Sequence, residues 1–147
     1  MERVAVGASE QRVEQTMATI RTDVYIDRSP DDVWSVVGDI GGLSKWMPGV
    51  ETSSLVGDER VCEFPDETAK LVERVLSRDD ENRRYDYTIV EGPMSFDHYR
   101  AAMWVEPDGT GSRFNWEMTV EPDEAAEPMK AMAGAGAEAL KAHLEAA

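Results

Sequence analysis

Few side chains in this chain could do chemistry. There are two histidines, His98 and His143, and one cysteine, Cys62. A single cysteine excludes an internal disulfide and a cysteine-based metal site. Nothing near it in sequence would activate a thiol, so Cys62 reads as a small strand residue rather than a nucleophile. The histidines share no ligand spacing, so neither a metal nor another cofactor is expected. His143 falls in the last turns of a helix, where a cation suits the dipole. What remains is a carboxylate in an apolar strand, Glu73, and three tyrosines, Tyr85, Tyr87 and Tyr99. A carboxylate and phenols offer either polar anchors for a ligand or a general acid–base pair. Leu71, Glu73 and Val75 share one face of their strand; Val72, Arg74 and Leu76 share the other. Apolar content leaves the direction of Glu73 open. Turned inward and unpaired, it is costly to bury and its pKa rises.

The elements that must position these groups follow from periodicity. Residues 1–15 have no clear period and are expected to form a flexible N-terminal arm, ahead of a single domain over residues 16–147. Residues 17–27 alternate as a half-buried strand. Ser29-Pro30-Asp31-Asp32 is the sharpest local signal. Ser29 is the N-cap, Pro30 the first helical residue and Asp32 the acid of a variant capping box. Val33, Trp34, Val36 and Val37 form the apolar face of that short helix, and Gly38 ends it. A second short helix covers residues 40–46, before Met47-Pro48-Gly49. Strands follow at 50–56, 59–64, 68–78, 83–90, 96–106 and 112–121. Gly57-Asp58, residues 65–67, the solvated Asp79-Asp80-Glu81 run, Glu91-Gly92-Pro93-Met94 and residues 107–111 are the turns and loops between them.

Residues 122–147 read as one long amphipathic helix with Asp123 as its N-cap. Met129, Met132, Ala133, Gly136, Leu140 and Leu144 occupy one face; Glu127, Lys130, Glu138, Lys141 and Glu145 occupy the other. Gly134 and Gly136 sit mid-helix, where each costs about 1 kcal/mol relative to alanine. An apolar face of methionine and near-absent side chains suits either the wall of a cavity or an ordinary core helix. At about 35 Å, with a rise of 1.5 Å per residue, this is the only element long enough to cover the sheet. The order β-α-α followed by six strands and a helix is α+β, with an antiparallel sheet whose apolar face needs that cover.

The hairpin at Gly109-Thr110-Gly111 sets a register. Val105 opposite Phe114 puts Met103 opposite Trp116, Ala101 opposite Met118, and Tyr99 opposite Val120. All eight are apolar or aromatic and face the helix. Tyr85, Tyr87 and Ile89 continue this inner face on the preceding strand. His98, Arg100, Ala102 and Trp104, with Arg113, Asn115, Glu117 and Thr119, then face water. An outward Trp104 fits a self-association surface, hence a homodimer, or a lone exposed aromatic.

Composition removes several function classes. At 147 residues the chain suits one core, and its formal net charge is −15. No basic patch exists to hold nucleic acid or an anionic membrane surface. No apolar run is long enough to insert in a membrane, and no leader pattern opens the chain, so a cytoplasmic protein is expected. The acidic, lysine-poor surface fits either ordinary solubility or a high-salt source.

Several motifs in order resemble the helix-grip proteins of the START-like or SRPBCC superfamily, which include Bet v 1-type allergens, polyketide cyclases and dehydratases, and plant abscisic acid receptors. They are Ile26-Asp27-Arg28-Ser29-Pro30-Asp31-Asp32-Val33-Trp34, Trp46-Met47-Pro48-Gly49-Val50, Glu73-Arg74-Val75 through Tyr85-Asp86-Tyr87, and Arg113-Phe114-Asn115-Trp116. The resemblance spans residues 17–145. It implies a curved sheet of six to seven antiparallel strands wrapped around the C-terminal helix, two short helices between strands 1 and 2, and a cavity between sheet and helix. It also implies that Glu73 points into the cavity, as the acid on this strand does in the hormone receptors. Residues 64–66 and Glu91-Gly92-Pro93-Met94 match in position the loops that close the cavity in receptor members, without their fuller signatures.

The expected function is therefore binding of a small hydrophobic or aromatic molecule. The ligand-contacting set is Glu73, Tyr85, Tyr87, Ile89, Tyr99, Ala101, Met103, Phe114, Trp116, Met118, Met129, Met132, Ala133, Gly136 and Leu140. One alternative is a cyclase- or dehydratase-like enzyme in which Glu73 and a tyrosine, Tyr87 or Tyr99, move a proton. Another is a non-catalytic interaction module whose aromatic side chains fill the core and leave no cavity.

Overall fold

The computed structural model describes residues 17–66 and 69–146. The arm expected over residues 1–15, residue 67 of the expected loop 65–67 and residue 68, the expected start of the next strand, lie outside the described residues. Seven strands form one antiparallel sheet: β1 (Ala18–Ile26), β2 (Thr52–Val56), β3 (Glu59–Glu63), β4 (Lys70–Asp79), β5 (Arg84–Glu91), β6 (His98–Asp108) and β7 (Gly111–Glu121). Their spatial order is β1-β7-β6-β5-β4-β3-β2. The short helix α1 (Pro30–Val37) and a 3-10 helix (Ile40–Lys45) lie between β1 and β2, and the long helix α2 (Ala126–Glu145) closes the chain. This is a helix-grip fold: a curved sheet around a C-terminal helix.

The local chemistry explains the boundaries. Ser29 accepts the Asp32 backbone N–H on its hydroxyl at 3.1 Å, and Pro30 opens α1. At Gly38 a Cβ would meet the Trp34 indole at 2.6 Å, so the chain can turn there only with glycine. The freed Gly38 carbonyl accepts from Arg78 Nη1 at 2.6 Å, which ties α1 to β4. Strand β2 begins two residues later than the alternation suggests. Gly49 takes a positive φ of 85°, and the Val50 N–H bonds back to Met47 O at 3.4 Å, which keeps Val50 in a turn.

The β6–β7 register is the one derived from the hairpin, from Tyr99↔Val120 through Val105↔Phe114. The inner residues of that set are buried. The outer set is not uniformly wet, however. Asn115 is 1% exposed and Ala102 4%. Long side chains roof this face: Arg21 Nη2 donates to Asn115 Oδ1 at 3.1 Å, and Asn115 Nδ2 donates to Glu106 Oε1 at 3.1 Å. Trp104 is half-buried, with the Arg21 and Arg84 guanidinium groups 4.9 and 5.0 Å from its ring.

Strand β4 shifts register against β5 between Val72 and Glu73 and again between Val75 and Ser77. Such bulges bend a strand and strengthen its twist, and they help curl this sheet toward the helix. The C-terminal helix departs from expectation at its start. Asp123 is not its N-cap. Residues Asp123–Ala125 form a 3-10 turn closed by the Ala125 N–H on Pro122 O at 3.1 Å, and α2 proper starts at Ala126 without a side-chain cap. Pro128 sits in its first turn, where the missing N–H would lack a partner anyway. Helix α2 has 20 residues, about 30 Å, and rests on β1 and β7. Lys141 Nζ donates to Tyr25 O at 2.8 Å, and the Asp27 N–H donates to Glu145 Oε2 at 2.9 Å, pinning the far end of the helix to β1. No helix among the described residues is long and apolar enough to cross a membrane.

Candidate ligand-binding site

Between the sheet and the first turns of α2 lies a cavity of about 200 Å³. Arg60 of β3, Glu73 of β4, Tyr87 and Ile89 of β5, Tyr99 and Met103 of β6 and Trp116 of β7 form its sheet side. Met129 and Met132 of α2 face them, and Leu43 and Met47 of the two-helix insert close one end. The rim is Pro48, Val50, Phe64, Leu71, Gly92, Pro93, Met94 and Phe96. Of these, Pro48, Pro93 and Met94 are exposed, so the rim carries the opening to solvent.

The polar part of this apolar space is one buried ion pair. Arg60 and Glu73 are direct cross-strand partners in the β3–β4 register. Arg60 Nε donates to Glu73 Oε1 at 2.7 Å, with the two side chains only 1% and 6% exposed. Arg60 Nη1 donates to Ile40 O at 3.2 Å and to the Tyr85 hydroxyl at 3.0 Å. The Tyr85 hydroxyl in turn donates to Met103 Sδ at 3.3 Å. The guanidinium lies 5.2 Å from the Tyr87 ring centre and 5.7 Å from that of Tyr85. Burial opposes the Arg60 charge, but Tyr85, Glu73 and Tyr87 outweigh it and hold the guanidinium protonated well above its ordinary range. Glu73 is thus a paired carboxylate, which offsets the cost that an inward, unpaired one would carry.

The phenols respond in the opposite sense. Burial, more than any charge, pushes the Tyr85, Tyr87 and Tyr99 hydroxyls above the usual tyrosine range. At neutral pH they are hydrogen-bonding phenols rather than bases. Trp116 Nε1 donates to the Tyr87 hydroxyl at 3.0 Å, and the Tyr85, Tyr87 and Tyr99 rings follow one another at 5.7 and 6.2 Å. Burial likewise pushes the Cys62 thiol up to about 11.

Eight of the residues singled out from sequence line the cavity: Glu73, Tyr87, Ile89, Tyr99, Met103, Trp116, Met129 and Met132. The structure places seven others, Tyr85, Ala101, Phe114, Met118, Ala133, Gly136 and Leu140, in close-packed core beside it. The reason is the direction in which the small helix residues act. A Cβ on Gly136 would stand 2.8 Å from Met47 Sδ and 2.9 Å from Trp116 Cζ3. Gly136 therefore lets the helix approach and seal the sheet there. The hollow lies one to two turns earlier, beside Met129 and Met132.

Sequence reasoning missed Arg60, because an arginine at a strand centre reads as a solvated residue. The available signal was alternation. Arg60, Cys62 and Phe64 share one face, and a two-residue turn at Gly57-Asp58 fixes which way it points. The insert residues Leu43 and Met47 were also missed, since helix periodicity does not reveal what a helix packs against.

A second, open space adjoins the first. Pairing between β5 and β6 stops at Tyr87↔Ala101. Beyond that point the strands part, leaving a groove of about 610 Å³ bounded by residues such as Leu76, Val90 and His98. Ile89, Gly92, Met94, Phe96 and Tyr99 are common to both spaces. Thr88 bridges the split by donating to Tyr99 O at 2.6 Å.

With this geometry established, comparisons place the chain. In structure it is similar to the protein XoxI from Bacillus cereus, with a TM-score of 0.81 and 27% identity over 87% of this chain and 96% of that one. It is also similar to a protein from Thermobifida fusca, with a TM-score of 0.73 and 29% identity over 87% and 91% of the two chains. Ara h 8.0201, at 17% identity and a TM-score of 0.72 over 89% and 99%, shares the fold. No curated protein matches the chain in sequence. A family described as polyketide cyclase / dehydrase and lipid transport matches residues 17–145, and the chain belongs to that family.

Proposed function

We propose that the protein binds a small hydrophobic or aromatic molecule between its sheet and α2. The observation that carries this reading is an apolar cavity with a buried ion pair built into its wall. Filled cores do not leave 200 Å³ beside a buried arginine and glutamate. A 150 Å³ apolar cavity accepts benzene, so this one suits roughly eight non-hydrogen atoms. Five methionines, Met47, Met94, Met103, Met129 and Met132, stand around it. Methionine repacks at low cost, so the walls can yield to a somewhat larger ligand. Membership in a family described by cyclase, dehydrase and lipid-transport activities supports an apolar ligand.

Catalysis on that ligand is a second reading, favoured by the convergence of Glu73, Tyr87 and Tyr99 on one cavity. In a cyclase- or dehydratase-like step a tyrosine would donate its proton to a ligand oxygen while Glu73 accepts one from carbon. Glu73→Gln separates the two. A binder loses modest affinity, whereas an acid–base enzyme loses most of its turnover.

Native mass spectrometry of protein purified from its host tests the first reading. The expected result is a fraction carrying the added mass of a small apolar molecule, released on unfolding. Protein of its own mass alone, which also fails to take up small aromatics on titration, would overturn it.

A further inference from the structure

We propose that Arg60 and Glu73 form a charge-balanced clamp for an uncharged group bearing both a hydrogen-bond donor and an acceptor, a hydroxyl above all. The inference rests on the cavity-binding reading and specifies its ligand.

The argument is one of unused valences. Arg60 spends Nε on Glu73 Oε1, and Nη1 on Ile40 O and the Tyr85 hydroxyl. Arg60 Nη2 and Glu73 Oε2 make no hydrogen bond among the described residues. Yet no fully occluded side-chain nitrogen or oxygen among the described residues lacks a partner. Both atoms therefore reach free space, and the space that both residues line is the cavity. The Tyr85 hydroxyl is already held between Arg60 and Met103, so it does not compete for them.

The pair is neutral as a unit. A carboxylate ligand that reached Nη2 would meet the Glu73 oxygens, and an ammonium that reached Oε2 would meet the guanidinium. Like charges at that distance in a buried site cost far more than a single hydrogen bond returns. A plain hydrocarbon would cover Nη2 and Oε2 without satisfying either. A hydroxyl satisfies both, accepting from Nη2 and donating to Oε2. The rest of the ligand then lies along Tyr87, Trp116 and Met129.

Calorimetric titration of the wild-type protein with four probes of similar size tests this: ethylbenzene, para-ethylphenol, para-toluate and benzylammonium. The phenol should bind at least about tenfold more tightly than each of the others. In the double variant Arg60→Met, Glu73→Leu the phenol and the hydrocarbon should bind equally. If ethylbenzene matches the phenol in the wild type, or para-toluate binds best, the clamp is overturned while cavity binding stands. If none of the four binds, the cavity-binding reading falls, and the clamp with it.

Discussion

Removing one partner of the Arg60–Glu73 pair should be far more harmful than removing both. The pair bridges β3 and β4 at 2.7 Å, with the two side chains 1% and 6% exposed. Glu73→Leu leaves a guanidinium with only Ile40 O and the Tyr85 hydroxyl as neutral acceptors. Arg60→Met leaves a carboxylate in an apolar wall. An uncompensated buried charge costs about 3–5 kcal/mol, so each single variant should lose that much. Replacing both by apolar residues of similar size removes the desolvation cost with the attraction, so the double variant should lie within about 1 kcal/mol of the parent or above it. For a domain of this length, about 2–4 °C per kcal/mol puts the single variants roughly 6–20 °C lower in Tm. Urea unfolding at neutral pH, followed by circular dichroism and tryptophan fluorescence, measures all three. A double variant that loses the sum of the single losses, or single variants that lose under about 1 kcal/mol, would refute the reasoning.

Other consequences follow from the same structure. The three buried phenols keep their protons in the folded chain, whereas unfolded tyrosine titrates near pH 10. Because these folded pKa values are raised, their stabilisation is complete below about pH 10. It falls above that by about 4 kcal/mol per pH unit for the three together. Phenolate absorbance from these three should therefore rise together with loss of the circular dichroism signal; gradual ionisation with the fold intact would contradict this. Cys62 is buried and its thiol is pushed up to about 11, so it should resist alkylation at about pH 8 until urea is added. On α2, Gly134→Ala should stabilise by about 0.5–1 kcal/mol, since its Cβ would meet nothing within 4 Å. Gly136→Ala should instead destabilise, by up to about 2 kcal/mol, because overpacking against Trp116 outweighs the gain in helix propensity. Thermal unfolding ranks the two, and a stabilised Gly136→Ala would be the wrong sign.

The fold was largely legible because its signals are local. Ser29-Pro30, the turn at Gly109-Thr110-Gly111 and the alternation of β6 and β7 each specify a backbone state over a few residues, and the hairpin register follows from them. The site was legible only in part. Glu73, Tyr87, Tyr99 and Trp116 are visible as aromatic or acidic residues on an inner face. Arg60 is less so, because a charged residue at a strand centre reads as solvated until Glu73 on the next strand, β4, is placed opposite it. The role of Gly136 was inverted, since a small side chain marks either room or close approach, and only the position of Trp116 decides which. Asn115 and Trp104 carry the same lesson on the outer face, where arginines from β1 and β5 cover residues that alternation assigns to water.

The central claim is that a small apolar molecule occupies the space between the sheet and α2 beside Arg60 and Glu73. Proton contacts measured by NMR between bound para-ethylphenol and the methyl groups of Met47, Met103, Met129 and Met132 test it most directly. The account predicts nuclear Overhauser effects to several of these methyls and to the Tyr87 ring. Contacts confined to Leu76, Val90 and His98 in the outer groove would contradict it.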